Sequence, residues 1–218
     1  MFLAGAKTVQ ITTTNFIMVM KHRPDIKAKF EAEYQPLMEQ VKDDIMEKMT
    51  PELIEDLEYT KMTYQEVLRR YSPIPTSSTN TVSKTTTYNG VTFHVGDAFY
   101  VNLENIHKRD DEWKDCLEFI PERFDPHSEY YLRSDGKKRN PLSFNPFLGG
   151  QRICLGKTFA EITLKYSLPL YHHFFDFELV DEKQKAEMLE FDLGGMTQPT
   201  IPVKMITKNK VVIWRGNN

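Results

Sequence analysis

Cysteine is scarce in this chain of 218 residues, because Cys116 and Cys154 are the only two. Two cysteines are too few for a disulfide framework, so we expect a protein of a reducing compartment. Long apolar runs are also missing, and none approaches the length that a membrane span needs. The first residues have no basic leader and Lys7 interrupts any apolar signal region, so we do not expect secretion.

An excess of charge of either sign is absent as well. The chain has 28 Lys and Arg residues against 31 Asp and Glu residues, for a net charge of −3. This balance gives no reason to expect a nucleic-acid partner. Hydrophobic residues make up 40% and charged residues 27%, which are fractions typical of a globular protein, and the length fits one domain over residues 1–218.

Apolar residues recur at helical spacing through the first two-fifths of the chain. The predicted helices are Phe2–Met20, a segment from Pro24 to Ile45, Thr50–Leu57 and Thr60–Tyr71. Proline is well placed at a helix start, as at Pro24, but inside a helix it disrupts hydrogen bonding. We therefore expect Pro36 to kink or divide the second segment.

Strands and loops dominate the next part of the chain. The Asn89-Gly90 dipeptide predicts a hairpin turn between strands Val82–Thr87 and Val91–Phe93. Residues 110–147 are rich in turn signals, and two terminal strands, Ile201–Thr207 and Lys210–Trp214, are predicted to pair with each other. The fold class is therefore α+β, mainly α with small β-sheets.

One cysteine lies in a distinctive frame, because residues 147–156 read FLGGQRICLG. An apolar face at helical spacing follows, which places Cys154 near a helix N-terminus, where backbone N–H groups and the helix dipole stabilise a thiolate. Glycine at 149, 150 and 156 permits a tight turn and close approach of a flat macrocycle. Phe147 would shield the sulfur and Arg152 would bind a haem propionate. The alternative is a buried structural cysteine beside a glycine turn, which the frame disfavours.

The frame resembles the haem-binding signature of the cytochrome P-450 family, F-x-x-G-x-R-x-C-x-G, and meets every fixed position. Glu66-Val-Leu-Arg69 resembles the E-x-x-R pair of the family, and Pro121–Phe124 resembles its P-E-R-F segment. Ala4–Thr8 resembles the central oxygen-binding helix, and Leu193–Pro199 resembles the tail of microsomal members.

The resemblance implies a haem-thiolate monooxygenase that inserts one atom of dioxygen into a small apolar substrate. Its cofactor would be haem b, held by Phe147, Gly150, Arg152, Cys154 and Gly156, with Cys154 as the iron ligand. Electrons would come from an NADPH-dependent reductase.

The resemblance also implies that the chain is the C-terminal portion of one cytochrome P-450 domain whose N-terminal half is absent. That half would carry the membrane anchor and most of the substrate pocket. The complete protein would then lie on the cytosolic face of the endoplasmic reticulum membrane. We expect these 218 residues alone not to form a stable haem protein.

Further roles are implied by the same resemblance. Thr8 would deliver protons to bound dioxygen. Glu66, Arg69 and Arg123 would form a buried structural triad beneath the haem. The chain departs from the family at Lys7, where an acidic residue is usual, and this departure affects the proton relay. The alternative is that Lys7 is a solvated lysine beside a threonine that packs the helix.

Other interpretations remain open at this point. The chain could be a non-enzymatic remnant, or a thiol redox protein that uses Cys154 as nucleophile. His172-His173 are interpreted as surface or partly buried histidines rather than a metal-binding pair, and His107 is interpreted as a packing residue. The run Lys137-Lys138-Arg139 is interpreted as a solvated loop, or as a contact for an acidic redox partner.

Overall fold

A computed structural model describes residues 2–42, 44–180, 189–191, 197–199 and 203–208. The helices are α1 (Phe2–His22), α2 (Pro24–Val41), α3 (Ile45–Lys48), α4 (Pro51–Glu55), α5 (Glu58–Arg70), α6 (Leu103–His107) and α7 (Lys157–Phe174). The strands are β1 (Asn80–Thr81), β2 (Thr86–Tyr88), β3 (Val91–Phe93), β4 (Ala98–Phe99), β5 (Phe175–Leu179), β6 (Leu189–Phe191), β7 (Thr197–Pro199) and β8 (Val203–Thr207). The predicted class, mainly α with small sheets, is confirmed.

The second predicted helix is interrupted after Val41 and not at Pro36. Helix α2 continues through Pro36 to Val41, so the expectation that this proline divides it was wrong. Leu37, Met38 and Val41 are all buried, and their packing holds the turn that follows the proline. Ile45 instead opens α3, which Asp44 caps by accepting a hydrogen bond from the Glu47 amide at 3.1 Å.

The core lies where α1, α2, α5 and α7 meet. Phe16 of α1 and Phe30 of α2 are completely buried and pack edge to face, with ring centroids 5.0 Å apart. Leu164 and Leu168 of α7 reach the same cluster. These helices fix the position of the segments that connect them.

The small sheets are antiparallel pairs. Strands β2 and β3 form the predicted hairpin, and Asn89 and Gly90 have φ values of 47° and 78°, as the tight turn requires. The first strand is shorter than predicted, because Val82 bonds to Asp97 next to the β1–β4 pair instead.

Strand β8, within the predicted strand Ile201–Thr207, pairs with a strand from earlier in the chain. Strand β8 pairs with β5, from Phe175 opposite Thr207 to Leu179 opposite Val203. Such a pairing between distant segments is not encoded in local sequence pattern. The other predicted strand, Lys210–Trp214, lies outside the described residues, as does part of Leu193–Pro199. Within the described part of the chain, none of the helices has the length and apolarity to cross a bilayer.

Candidate functional site

The cysteine loop, residues 145–156, leads into α7 and is closed by its own backbone. The Leu148 amide donates to the Asn145 carbonyl at 2.9 Å, and the Cys154 amide donates to the Phe147 carbonyl at 2.9 Å. Gly150 has a φ of 65°, a left-handed conformation that suits glycine. The loop therefore turns back so that Cys154 lies beside Phe147.

Helix α7 begins directly after the cysteine. Gly156 is its N-cap, and the Lys157 amide donates to the Cys154 carbonyl at 3.2 Å. The side chain of Cys154 is exposed. A Cβ atom at Gly156 would lie 3.8 Å from the sulfur, so the turn passes close to the thiol. The predicted place of Cys154, near a helix N-terminus that favours an anion, matches the structure.

A cavity of about 180 Å³ joins the cysteine loop to α1. Thr8 lines it from α1, and Cys154 lines it from the loop. The Thr8 hydroxyl donates to the Ala4 carbonyl at 2.9 Å, within its own helix. The remaining lining is mainly apolar and comprises Val9, Thr12, Leu68, Pro73, Ile74, Leu103, Pro146, Phe147, Leu148, Ala160 and Leu164.

Apolar side chains are exposed around the thiol. Leu155 is 87% exposed and Phe159, one turn further on, is 60% exposed. Ile153 and Ile162 are also exposed. Such a cluster is unusual on a protein surface without a ligand or partner. Arg152 is exposed too, in a 3-10 turn at Gly150–Arg152 immediately before these residues.

Glu66, Arg69 and Arg123 are brought together in the interior. The Arg69 guanidinium forms a two-point contact with the Glu66 carboxylate, at 2.7 and 2.8 Å. Arg123 reaches the same carboxylate at 3.2 Å. The side chains of all three residues are fully buried. Because the cluster holds two cations and one anion, it needs further acceptors.

Main-chain carbonyls supply those acceptors. Arg69 donates to the carbonyls of His107 at 2.8 Å, Cys116 at 2.9 Å and Glu118 at 3.1 Å. Arg123 donates to the carbonyls of Lys114, Asp115 and Glu118. Burial lowers the pKa of Arg123, although the nearby Glu66 opposes that effect. The cluster thereby organises the backbone of a segment without regular secondary structure.

Arg139 was missed by sequence reasoning. Its guanidinium stacks over the Trp113 ring at 4.4 Å and donates to the Tyr130 carbonyl at 2.9 Å and the Arg123 carbonyl at 2.6 Å. The interpretation of Lys137-Lys138-Arg139 as a solvated loop was therefore wrong for Arg139, although both lysines are exposed. Its role could not be recognised from the sequence, because a run of basic residues usually indicates a solvated surface.

His172 lies in the helical core. Its ring packs between Phe16, Phe30 and Phe177, with centroids 5.1 to 5.6 Å away, and its Nδ1 lies 3.0 Å from the Leu168 carbonyl. Burial lowers the pKa of His172 to about 4. His107, which is also completely buried, has its pKa lowered to about 4 by burial and by the charge of Arg69.

These buried histidines predict a loss of stability in acid. From pH 6.5 to about 4 the unfolded chain binds protons that the folded chain does not, so the free energy of unfolding falls as the pH is lowered. At about 1.36 kcal/mol per pKa unit, each histidine contributes about 3 kcal/mol to this loss. Urea unfolding at a series of pH values measures it.

The matched control for this effect is His94, which is exposed. We expect His172→Phe to flatten the pH dependence between pH 6.5 and 4 and His94→Gln to leave it unchanged. If the free energy of unfolding changed with pH equally in His172→Phe and in the unsubstituted chain, the buried imidazole of His172 would not cause the loss of stability in acid.

Comparison with known proteins identifies the family. The chain matches the family model described as Cytochrome P450 over residues 1–206. It is 30% identical over 199 residues to premnaspirodiene oxygenase of Hyoscyamus muticus, covering 90% of this chain and 37% of that protein. It is 27% identical over 213 residues to cytochrome P450 3A6 of Oryctolagus cuniculus, covering 98% of this chain and 40% of that protein. The chain thus spans about two fifths of the length of these relatives.

Solved structures share the fold. A cyanobacterial CYP120A1 with retinoic acid bound superposes with a TM-score of 0.77 at 24% identity, over 94% of this chain and 44% of that one. Another cytochrome P450, CYP102L1, superposes with a TM-score of 0.72 at 22% identity, over 94% of this chain and 43% of that one. Taken with the family match over residues 1–206, the shared fold shows that this chain belongs to the cytochrome P450 family.

Proposed function

We propose that the protein carrying this chain is a haem-thiolate monooxygenase that oxidises a small apolar substrate. The observation that carries the proposal is the cavity that Cys154 and Thr8 line together. It places a thiol, which would bind the haem iron, and a hydroxyl, which would exchange protons with a ligand in the cavity, at one mainly apolar site. Members of this family are monooxygenases, and one relative is named as an oxygenase.

The residues around Cys154 fit a haem. The thiol is exposed, and the large apolar side chains of Leu155 and Phe159 are exposed beside it. A flat apolar macrocycle would cover such a surface, and a thiolate is a suitable ligand for its iron. When bound, haem b supplies the chemistry that splits dioxygen, places one atom in the substrate and reduces the other to water.

The chain's own residues would hold and orient that group. Cys154 is held at the start of α7 by the hydrogen bond that its N–H donates to the Phe147 carbonyl, and the Phe147 side chain would keep water from the sulfur. Arg152 is exposed at the end of the 3-10 turn, so its guanidinium would be available to bind a propionate. Gly150 and Gly156 keep the loop clear of side chains where a macrocycle would approach.

Thr8 is assigned to proton delivery in this proposal. Its hydroxyl donates to the Ala4 carbonyl, which leaves the oxygen lone pairs available to accept a hydrogen bond from water or a ligand in the cavity. The preceding residue, Lys7, is half-buried on the same helix. Because an ammonium group has no acceptor, Lys7 cannot relay protons as a carboxylate would.

Lys7→Asp is therefore expected to raise the amount of product formed per NADPH consumed. An acidic side chain next to Thr8 can both accept and donate a proton. Fewer of the electrons taken from NADPH should then be consumed without inserting oxygen into the substrate. The ratio is measured with reductase and a substrate that the protein turns over, and Lys21→Asp at the far end of α1 is the control for the added charge. An unchanged or lower ratio in Lys7→Asp would assign no relay role to position 7.

Glu66, Arg69 and Arg123 are assigned a structural role. They lie in the interior, and their guanidinium groups bind the carbonyls of the segment that leads to the cysteine loop. The electron donor would be an NADPH-dependent reductase, and the complete protein would lie on the cytosolic face of the endoplasmic reticulum membrane. Both proposals are supported by the family and by mammalian and plant relatives of the microsomal kind.

The test is the spectrum of the haem-loaded protein. Haem is added to the purified complete protein that contains this chain, and the sample is then reduced under carbon monoxide. A thiolate-type spectrum is the expected result, because the sulfur of Cys154 would donate electron density to the iron. A spectrum typical of a neutral axial ligand, or no haem binding by a folded protein, would overturn the proposal.

A further inference from the structure

His107 connects the buried charge cluster to the cysteine loop. It is the last residue of α6 and is completely buried. Its carbonyl accepts a hydrogen bond from Arg69 at 2.8 Å. Its ring packs against Phe144, with centroids 5.6 Å apart, and its Nε2 accepts a hydrogen bond from the Asn145 amide at 3.2 Å. One residue therefore contacts both the cluster and the first residue of the loop.

The contact with Asn145 requires a neutral imidazole. A backbone N–H can only donate, so Nε2 must carry a lone pair and the ring proton must be on Nδ1. In an imidazolium, Nε2 also carries a hydrogen, and that hydrogen would face the hydrogen of the Asn145 amide, so no bond could form. Burial and the adjacent Arg69 charge both disfavour the imidazolium, and Lys108 acts in the same direction. Burial above all, and then the charge of Arg69, therefore keeps His107 in the form that accepts the bond, although the Asn145 side chain acts to raise the pKa of His107.

The bond continues into the loop through its backbone. The carbonyl of Asn145 accepts the Leu148 amide, and the carbonyl of Phe147 accepts the Cys154 amide, both at 2.9 Å. Asn145 is therefore the point at which the turn that carries Cys154 is tied to α6. In its absence, the loop would keep its own short-range bonds, the packing of Phe147 against the core and the start of α7, but no hydrogen bond from Asn145 to α6.

We propose that His107 is a positioning residue for Cys154, which it holds in place through the Asn145 amide. The purpose of this positioning, to hold the sulfur at an iron, rests on the proposed function. The positioning itself is a property of the polypeptide and can be measured without haem.

Two substitutions separate the hydrogen bond from the volume of the ring. In His107→Gln the amide oxygen reaches about as far as Nε2 and still accepts the Asn145 N–H. In His107→Phe the ring volume is kept but the acceptor is lost. The matched control is His172→Phe, which removes an equally buried imidazole from a place that has no bond to the loop.

Amide hydrogen exchange of the haem-free protein is the first measurement. We expect His107→Phe to speed the exchange of the Asn145, Leu148 and Cys154 amides by about tenfold, the effect of losing one hydrogen bond. His107→Gln should restore protection close to that of the unsubstituted protein, and His172→Phe should not affect these three amides relative to the rest of the chain.

The second measurement is the carbon monoxide spectrum after haem loading. We expect His107→Phe to lose its thiolate-type signal faster than His107→Gln does. Unchanged loop exchange in His107→Phe, or exchange in a folded His107→Gln as fast as in His107→Phe, would overturn the proposal. If His107→Phe does not fold, the exchange rate of the three loop amides in His107→Gln still tests the proposal, because a rate close to that of the unsubstituted protein is expected. Failure of the proposed function would abolish the thiolate-type spectrum in the unsubstituted protein and leave the exchange result intact.

Discussion

Cys154→Ser should abolish the thiolate-type carbon monoxide spectrum of the haem-loaded protein. A serine hydroxyl has nearly the same shape but stays protonated at neutral pH, so it cannot donate charge to an iron as a thiolate does. The backbone bonds that place residue 154, from its amide to Phe147 and from Lys157 to its carbonyl, do not involve the side chain. The loop should therefore keep its conformation, and the spectrum should report the ligand alone.

The control is Cys116→Ser. Cys116 is half-buried in the segment before Glu118, and its carbonyl accepts a hydrogen bond from Arg69. We expect this variant to keep the full thiolate-type spectrum. Haem content is measured for both variants, so that a lost signal can be separated from lost haem. A thiolate-type spectrum that persists in Cys154→Ser would remove Cys154 as the ligand.

The features of the site that depend on neighbouring residues in the chain could be predicted from the sequence. Turn formation at Gly150, the start of α7 after Gly156 and the place of Cys154 depend on neighbours within a few residues. The same holds for the Asn89-Gly90 turn, whose backbone conformation only a few residue types adopt. Local preference and final structure agree at these positions.

The parts that depend on distant partners could not be predicted in this way. Arg139 is half-buried because Trp113, far from it in sequence, offers a ring to stack on. Strand β8 pairs with β5, which lies far from it in sequence. Pro36 remains helical because the residues after it reach a core built by three other helices. Tertiary contacts of this kind outweigh local propensity.

Glu66→Ala is expected to be the most destabilising change in the chain. It removes the only carboxylate from a fully buried group that also holds Arg69 and Arg123, and it deprives the Ile120 amide of its acceptor at 3.0 Å. Removing one partner of a buried charge network costs about 3–5 kcal/mol, because the remaining charges lie unpaired in a medium of low polarity. That loss is a large part of the 5–15 kcal/mol that stabilises a typical domain.

Arg123→Ala should destabilise less than Glu66→Ala but should still prevent stable haem incorporation. The Glu66–Arg69 pair survives in this variant, so the one remaining guanidinium still has a carboxylate partner. The carbonyls of Lys114 and Asp115 lose their donor, however, and the segment before the cysteine loop loses an anchor. Haem content after purification and the urea midpoint measure both effects.

Helix α5 itself provides the matched control. Glu58 and Lys61 form an ion pair on the same helix with the same three-residue spacing, at 3.2 Å, but their side chains are 62% and 38% exposed. Water screens such a pair, so Glu58→Ala should change the free energy of unfolding by less than about 0.5 kcal/mol. If Glu66→Ala were as stable as Glu58→Ala and kept its haem, the buried cluster would not support the fold beneath the site, and its spacing on α5 would carry no structural meaning.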